Sequence, residues 1–224
     1  MSYKYYKYGI NHFNFVDKIV TKKRREMLNL INSNFKDYNF FDVLDIGTTI
    51  DMEHESSNFI VKNLKNIQVY KSISDQKIQS DFFSKTLNKS ITDNLSEKEI
   101  NDFKCDLVIS NATIEHVGNF ENQRKMILNI INLAKKAFVI STPNRYHPID
   151  FHTKFPLIHW FPKNIHRKIL SYLGLSYLAK EENLNLLSEK DLESLFKINN
   201  FFKYKTFYIK LLFFKSNFIV IGIK

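Results

Sequence analysis

Apolar residues recur along this chain in two rhythms. Across residues 16–35, Ile19, Met27, Leu28, Ile31 and Phe35 fall mostly at helical intervals, with Lys and Arg between them, which predicts an amphipathic helix. The rhythm then tightens into β-rich apolar runs. FDVLDIGTT at 41–49 and CDLVISNATIEHVG at 105–118 each end in a small or acidic loop that opens a helix-like segment, and they predict strands at 43–46 and 106–110. Further strands are expected at 67–73, closed by Ser74 and Asp75, at 89–92, ended by Asp93, and at 137–141, stopped by Pro143. Helices are expected from Ser56 or Ser57 to Leu64, over 119–134, and in LSEKDLESLFKINN, where Ser188 caps and Glu189 and Asp191 sit near the positive end. The alternation predicts crossover units around a parallel sheet, and the runs 201–214 and 217–223 predict an antiparallel pair at its edge.

One segment breaks the pattern. Residues 144–187 carry Pro148, Pro156 and Pro162 among many His and aromatic residues, and read as an insertion or lid. The whole of 1–224 reads as one domain, with 1–40 as an N-terminal helical segment.

Composition narrows the class. An apolar share of 44% with 15% aromatics excludes a mainly disordered chain, which lacks the hydrophobicity to offset ordering entropy. The net charge of +10 raises nucleic acid as a partner. The basic residues, however, are mostly Lys dispersed among Asn and Ile, with only five Arg, and the cluster Lys22, Lys23, Arg24 and Arg25 would spread round its helix. A solvated surface is therefore preferred, and nucleic acid is not expected as a partner. The one cysteine, Cys105, excludes an intramolecular disulfide. Neither a signal-peptide core nor a run of spanning length is seen, so the expectation is a cytoplasmic protein, with peripheral membrane contact through Phe155, Ile158, Trp160 and Phe161 left open. Oligomeric state is not legible.

The two junctions together resemble the first and fourth strands of class I S-adenosylmethionine-dependent methyltransferases. More narrowly, DIGTTIDMEHESSNF, SNATIEHVGNFENQ and STPNRYHPIDFHTKFPLIHWFP resemble a bacterial subgroup of the "methyltransferase type 11" kind. The resemblance implies an α/β, Rossmann-like fold: a mostly parallel seven-stranded sheet with a C-terminal antiparallel hairpin and an inserted lid. It also implies S-adenosyl-L-methionine as cofactor and a small-molecule acceptor, such as a hydroxyl on a glycan, lipid-linked or natural-product intermediate.

By the same resemblance, Gly47 admits the ligand to the main chain and Asp45 lies beside the amino group of the methionine end. Asp75 matches the acceptor for the ribose hydroxyls, Asp93 the adenine contact, and Ser110 and Asn111 the residues facing the sulfonium. The loop departs from the usual Gly-x-Gly, with Thr49 in place of the second glycine.

Methyl transfer is an in-line displacement that needs alignment and, for a hydroxyl, a base. His116 leads for that role, followed by His152. Arg145, His152, His159 and Trp160 are expected to line the substrate side. A Glu-His pair of this kind holds a divalent metal in some relatives of the fold, but Asn111 leaves that set incomplete, and no metal is expected. Competing readings are a non-catalytic binding domain of the same fold and an RNA methyltransferase, against which Ser110-Asn111-Ala112-Thr113 lacks the usual proline and aromatic. A dinucleotide oxidoreductase is weaker still, since no Gly-x-Gly-x-x-Gly follows Asp45.

Overall fold

The computed structural model describes residues 14–197 and 202–224. A 21-residue helix, α1 (Asn14–Asn34), leads into β1 (Asp42–Ile46). The chain continues through α2 (Phe59–Asn63), β2 (Val69–Ser74), β3 (Lys85–Asn88) and α3 (Glu97–Phe103) to β4 (Cys105–Asn111). After α4 (Phe120–Leu133) and β5 (Ala134–Pro143) comes the 144–187 segment, which contains α5 (Lys163–Tyr172). Then α6 (Glu189–Phe196) and the hairpin β6 (Lys203–Leu211) and β7 (Phe214–Ile223) complete the fold.

The seven strands form one sheet in the order β3-β2-β1-β4-β5-β7-β6. β1 pairs in parallel with both β2 and β4, and only β7 runs against the other strands, pairing antiparallel with β5 on one side and β6 on the other. The strand order therefore reverses between β1 and β4, the topological switch point beyond which ligands bind in open α/β sheets. Both faces are covered, as parallel sheets require. Leu44, Ile46, Val108 and Phe138 pack on one face with Met126, Ile127 and Ile130 of α4 and Leu192 and Phe196 of α6. On the other, Val43, Leu107, Ile109 and Val139 pack with Met27 and Ile31 of α1 and Phe59 and Ile60 of α2. Alternate side chains of each strand thus feed two cores. Cys105 lies buried at the start of β4, and burial pushes its thiol up to about 12.

Several expectations need correction. The third strand lies at Lys85–Asn88, not 89–92; its sequence KTLN is largely exposed and carries no apolar pattern to read. Residues 89–93 instead form the turn beyond it, with the Asp93 amide donating to the Ser90 carbonyl. The residue before α2 is Asn58, in the left-handed region at φ 51°, and neither Ser56 nor Ser57 caps that helix. Asn58 serves the preceding loop: its Oδ1 accepts from the Thr49 amide at 2.9 Å and its Nδ2 donates to the Thr49 carbonyl at 2.9 Å. Two helices, α3 and α5, were not expected. The Ser188 cap holds, with a reciprocal pair in which the Asp191 amide donates to Ser188 Oγ and the Ser188 amide to Asp191 Oδ2. Residues 1–13 of the expected N-terminal segment and Phe201 of the expected hairpin lie outside the described residues.

The 144–187 segment leaves and rejoins the sheet at one place, where Asn144 and Leu187 form a parallel bridge. It has a small core of its own, made by Leu170, Leu178, Ala179, Leu184 and Leu186.

Candidate active site

A cleft of about 230 Å³ opens at the carboxyl ends of the central strands, lined from β1 by Gly47, from β2 by Ser74 and Asp75, and from β4 by Thr113 and His116. Ser90 and Ile91 beyond β3 and Glu182 from the 144–187 segment complete much of its wall. β1 and β4 stand side by side here, Ile46 opposite Ser110.

Gly47 has φ +84°, a conformation costly for any residue with a Cβ. The immediate reason for a glycine is a neighbour inside the protein, because an added Cβ would collide with the Thr113 side chain. Thr113, which the sequence did not mark as a site residue, thus rests on the β1 loop and becomes part of the cleft wall. Beneath the loop, Asp45 is buried and accepts from Thr48 Oγ1 at 2.6 Å, which accepts in turn from Ser72 Oγ at 2.7 Å. Burial raises the Asp45 carboxyl to about 6, with the Thr48 bond opposing. Asp45 supports the loop from below and does not line the cleft.

The remaining cofactor candidates separate. Asp75 lines the cleft directly after β2. Asp93 is exposed and outside the wall, where Ser90 and Ile91 stand instead. Ser110 is buried and donates to the Ile46 carbonyl at 3.1 Å, while Asn111 accepts from the Ser141 hydroxyl. Both are engaged in joining β1, β4 and β5.

The densest chemistry lies behind His116. Glu115 and His116 sit on a 3₁₀ turn (Ile114–His116) after β4, and the 144–187 segment brings His152 to them, Nε2 to Nε2 at 3.2 Å. His116 Nδ1 donates to the Asn183 carbonyl at 2.7 Å, and His152 Nδ1 lies 3.2 Å from Asp150 Oδ1. Glu115 is fully buried: its Oε2 accepts from Thr142 Oγ1 at 2.9 Å, whereas Oε1 has no hydrogen-bond donor and lies 3.9 Å from His116 Nε2 and 3.7 Å from His152 Nε2.

Burial lowers His116 to about 4, and charge on His152 adds to this against the pull of Glu115. Burial also works against charge on His152, but Asp150 and Glu115 outweigh it and raise that imidazole to about 9. Burial works to raise Glu115, yet the two imidazoles hold it below its usual value. The cluster therefore carries its proton on His152. Asp150, Asn183 and Thr142 were missed in the sequence reading. Asp150 has a weak signal, two residues before His152; Asn183 and Thr142 have none, because only the fold brings them here.

Arg145, His159 and Trp160 do not line this cleft. The Arg145 guanidinium donates to the carbonyls of His159 (3.3 Å) and Phe161 (2.9 Å), and with Lys163, His166 and Arg167 it lines a second, much smaller pocket. His159 Nε2 and Trp160 Nε1 both reach the His147 carbonyl, at 2.6 and 3.3 Å. These three residues hold the segment in shape. Asn185 fastens it: its amide donates to the Glu115 carbonyl at 2.7 Å, its Nδ2 to the Gly118 carbonyl at 2.8 Å, and its own carbonyl accepts from Gln123 Nε2 at 2.9 Å.

No family model and no curated protein matches this chain. Solved structures do. Magnesium protoporphyrin IX methyltransferase (ChlM) from Synechocystis PCC 6803 with bound SAH superposes with a TM-score of 0.59 at 14% identity, over 97% of this chain and 90% of that one. The N-methyltransferase NodS from Bradyrhizobium japonicum WM9 gives a TM-score of 0.52 at 8% identity, over 92% and 97%. The methyltransferase domain of bacterial CtHen1 gives 0.54 at 11% identity, over 92% and 100%. The chain has the class I methyltransferase fold.

Proposed function

We propose that this protein transfers a methyl group from S-adenosylmethionine to a small-molecule acceptor, an oxygen nucleophile being preferred. The observation that carries the reading is the cleft at the β1/β4 switch point, which has a glycine loop on one side, an acidic residue after β2 on another, and a buried histidine pair behind. Its donor set fits the cofactor. The Gly47 main chain and Asp75 stand where a nucleoside needs backbone approach and a carboxylate for its vicinal diol. That similar folds carry SAM or SAH, as ChlM and NodS do, supports the same assignment.

The cofactor supplies an electrophilic methyl carbon. The chain's own part is alignment: Gly47 and Thr113 form the floor, and Ser90 and Ile91 flank the base-binding end. The acceptor oxygen would take the methyl carbon as its bond to sulfur breaks, S-adenosylhomocysteine would be released, and the acceptor proton would pass to a base in the cleft wall. Its activation falls to the unit of Glu115, His116 and His152, because His116 is the member in the cleft wall.

Calorimetry with S-adenosylhomocysteine tests the reading directly. Binding near one per chain is expected; folded protein that binds neither this nor S-adenosylmethionine overturns it. Given a methyl acceptor found by screening with labelled donor, His116→Ala should lower turnover about 10²- to 10⁴-fold while leaving S-adenosylhomocysteine affinity within threefold.

A further inference from the structure

We infer that Glu115, His116 and His152 form a site for one divalent transition-metal cation of the zinc type, set in the wall of the cleft. Each ligand atom follows from its hydrogen bonding. A backbone carbonyl only accepts, so the Asn183 contact at 2.7 Å places a hydrogen on His116 Nδ1. The Asp150 carboxylate does the same for His152 Nδ1 at 3.2 Å. Both Nε2 atoms are thereby left to offer lone pairs, and they face each other at 3.2 Å. Glu115 Oε1 points to the same place, buried and without a hydrogen-bond donor, while its other oxygen is taken by Thr142.

Three acceptors thus converge inside the protein, their ligand atoms all within 4.8 Å of one another. A proton between the imidazoles answers two of them; a cation answers all three. Metal uptake releases that proton to solvent.

The spacing suits a small tetrahedral ion. Bonds of about 2.0–2.1 Å at a tetrahedral centre set ligand atoms roughly 3.3–3.4 Å apart, against 3.2, 3.7 and 3.9 Å here, so shifts of a few tenths of an ångström complete the geometry. The surroundings also match those of a metal-binding histidine, whose second nitrogen donates to a carboxylate or a backbone carbonyl and so fixes ring and tautomer. Two imidazoles and a carboxylate favour zinc or a neighbouring transition ion over magnesium or calcium, which select oxygen ligands.

Three protein ligands leave a fourth position for water or substrate. His116 lies in the cleft wall, so the cation stands beside the bound acceptor, where it would polarise an acceptor oxygen and favour loss of its proton. That role rests on the methyl-transfer reading; the binding of the cation does not.

Chelator-treated full-length protein titrated with Co²⁺ provides the test. One equivalent should bind and develop the visible bands of a tetrahedral nitrogen–oxygen site, and elemental analysis of protein purified without chelator should find close to one zinc per chain. His152→Ala and Glu115→Gln should weaken Co²⁺ at least tenfold with far-ultraviolet dichroism unchanged, whereas His166→Ala, outside the cluster, should not. Folded wild-type protein that takes up no Co²⁺ overturns the site without reference to any variant, as does affinity unchanged in folded His116→Ala and His152→Ala. S-adenosylhomocysteine binding, followed in parallel, separates the two readings: metal uptake without it sinks methyl transfer alone, and the reverse sinks the metal site alone.

Discussion

At the scale of single residues, Asp45 and Gly47 show how the β1 loop is held. Asp45 is a carboxylate that the fold would rather keep neutral, since burial raises it to about 6 from its ordinary value of 3.8. A raised carboxyl contributes stability that is fully present below its unfolded value and lost as pH rises through the folded one. The difference corresponds to about 3 kcal/mol. Relative to Asp45→Asn, the wild-type protein should therefore lose stability between roughly pH 4 and 7, a trend urea titrations at several pH values would reveal; parallel curves for the two proteins would contradict it. Gly47→Ala places a Cβ both at φ +84° and against Thr113. Strain of this kind costs about 1–3 kcal/mol, and the same change should weaken S-adenosylhomocysteine binding.

Individual residues were unevenly legible. Gly47 and the Glu115-His116 pair stand at strand ends that the apolar runs mark out. By contrast, nothing local announces Thr113 or Asn183, because each meets a partner 67 residues away in the chain, and Asp150 leaves only the weak signal of its place two residues before His152. Asp93 illustrates a register error: once the polar strand β3 is placed four residues too late, the whole turn beyond it shifts with it.

At the scale of elements, legibility follows burial. Strands buried on both faces, such as β1 and β4, are nearly continuous apolar runs and were located to within a residue or two. β3 is a short exposed edge and left no such trace. Helix α5 was hidden because it packs on the small core of its own segment, amid prolines and aromatics that suggest irregular structure. The segment is bound to the Ile114–His116 turn through Asn185, which is 2% exposed. Asn185→Ala removes the donor to the Gly118 carbonyl and the acceptor that Lys163 Nζ reaches at 2.6 Å. A buried group left unpaired costs about 1–3 kcal/mol. Hydrogen exchange should accelerate across 144–187 while the central strands keep their protection; equal acceleration in β1 and β4 would show that the segment and sheet open together. At the other end of the same connection, Ser188→Ala should cost about 1 kcal/mol through loss of the α6 cap, read as a lower urea midpoint.

At the scale of the molecule, the order of the sheet and its reversal between β1 and β4 explain why chemistry gathers at one rim. The charge of +10 tells less. The 33 Lys and Arg exceed the 23 acids, yet several of the cations sit beside carboxylates, as Lys85 meets Asp102, Lys89 meets Glu99, Lys136 meets Asp106 and Lys215 meets Glu189. Single-stranded RNA should accordingly bind weakly and detach as salt approaches physiological strength; tight binding that survives such salt would favour a nucleic-acid substrate. Among the described residues no helix is long and apolar enough to cross a membrane. The bridge between Asn144 and Leu187 has a consequence for how such a protein diversifies. A stretch that departs and returns through one doorway, with its own greasy centre, can change in length like an interchangeable cartridge without disturbing the sheet it hangs from, provided the newcomer keeps a clasp such as Asn185 on the turn after β4.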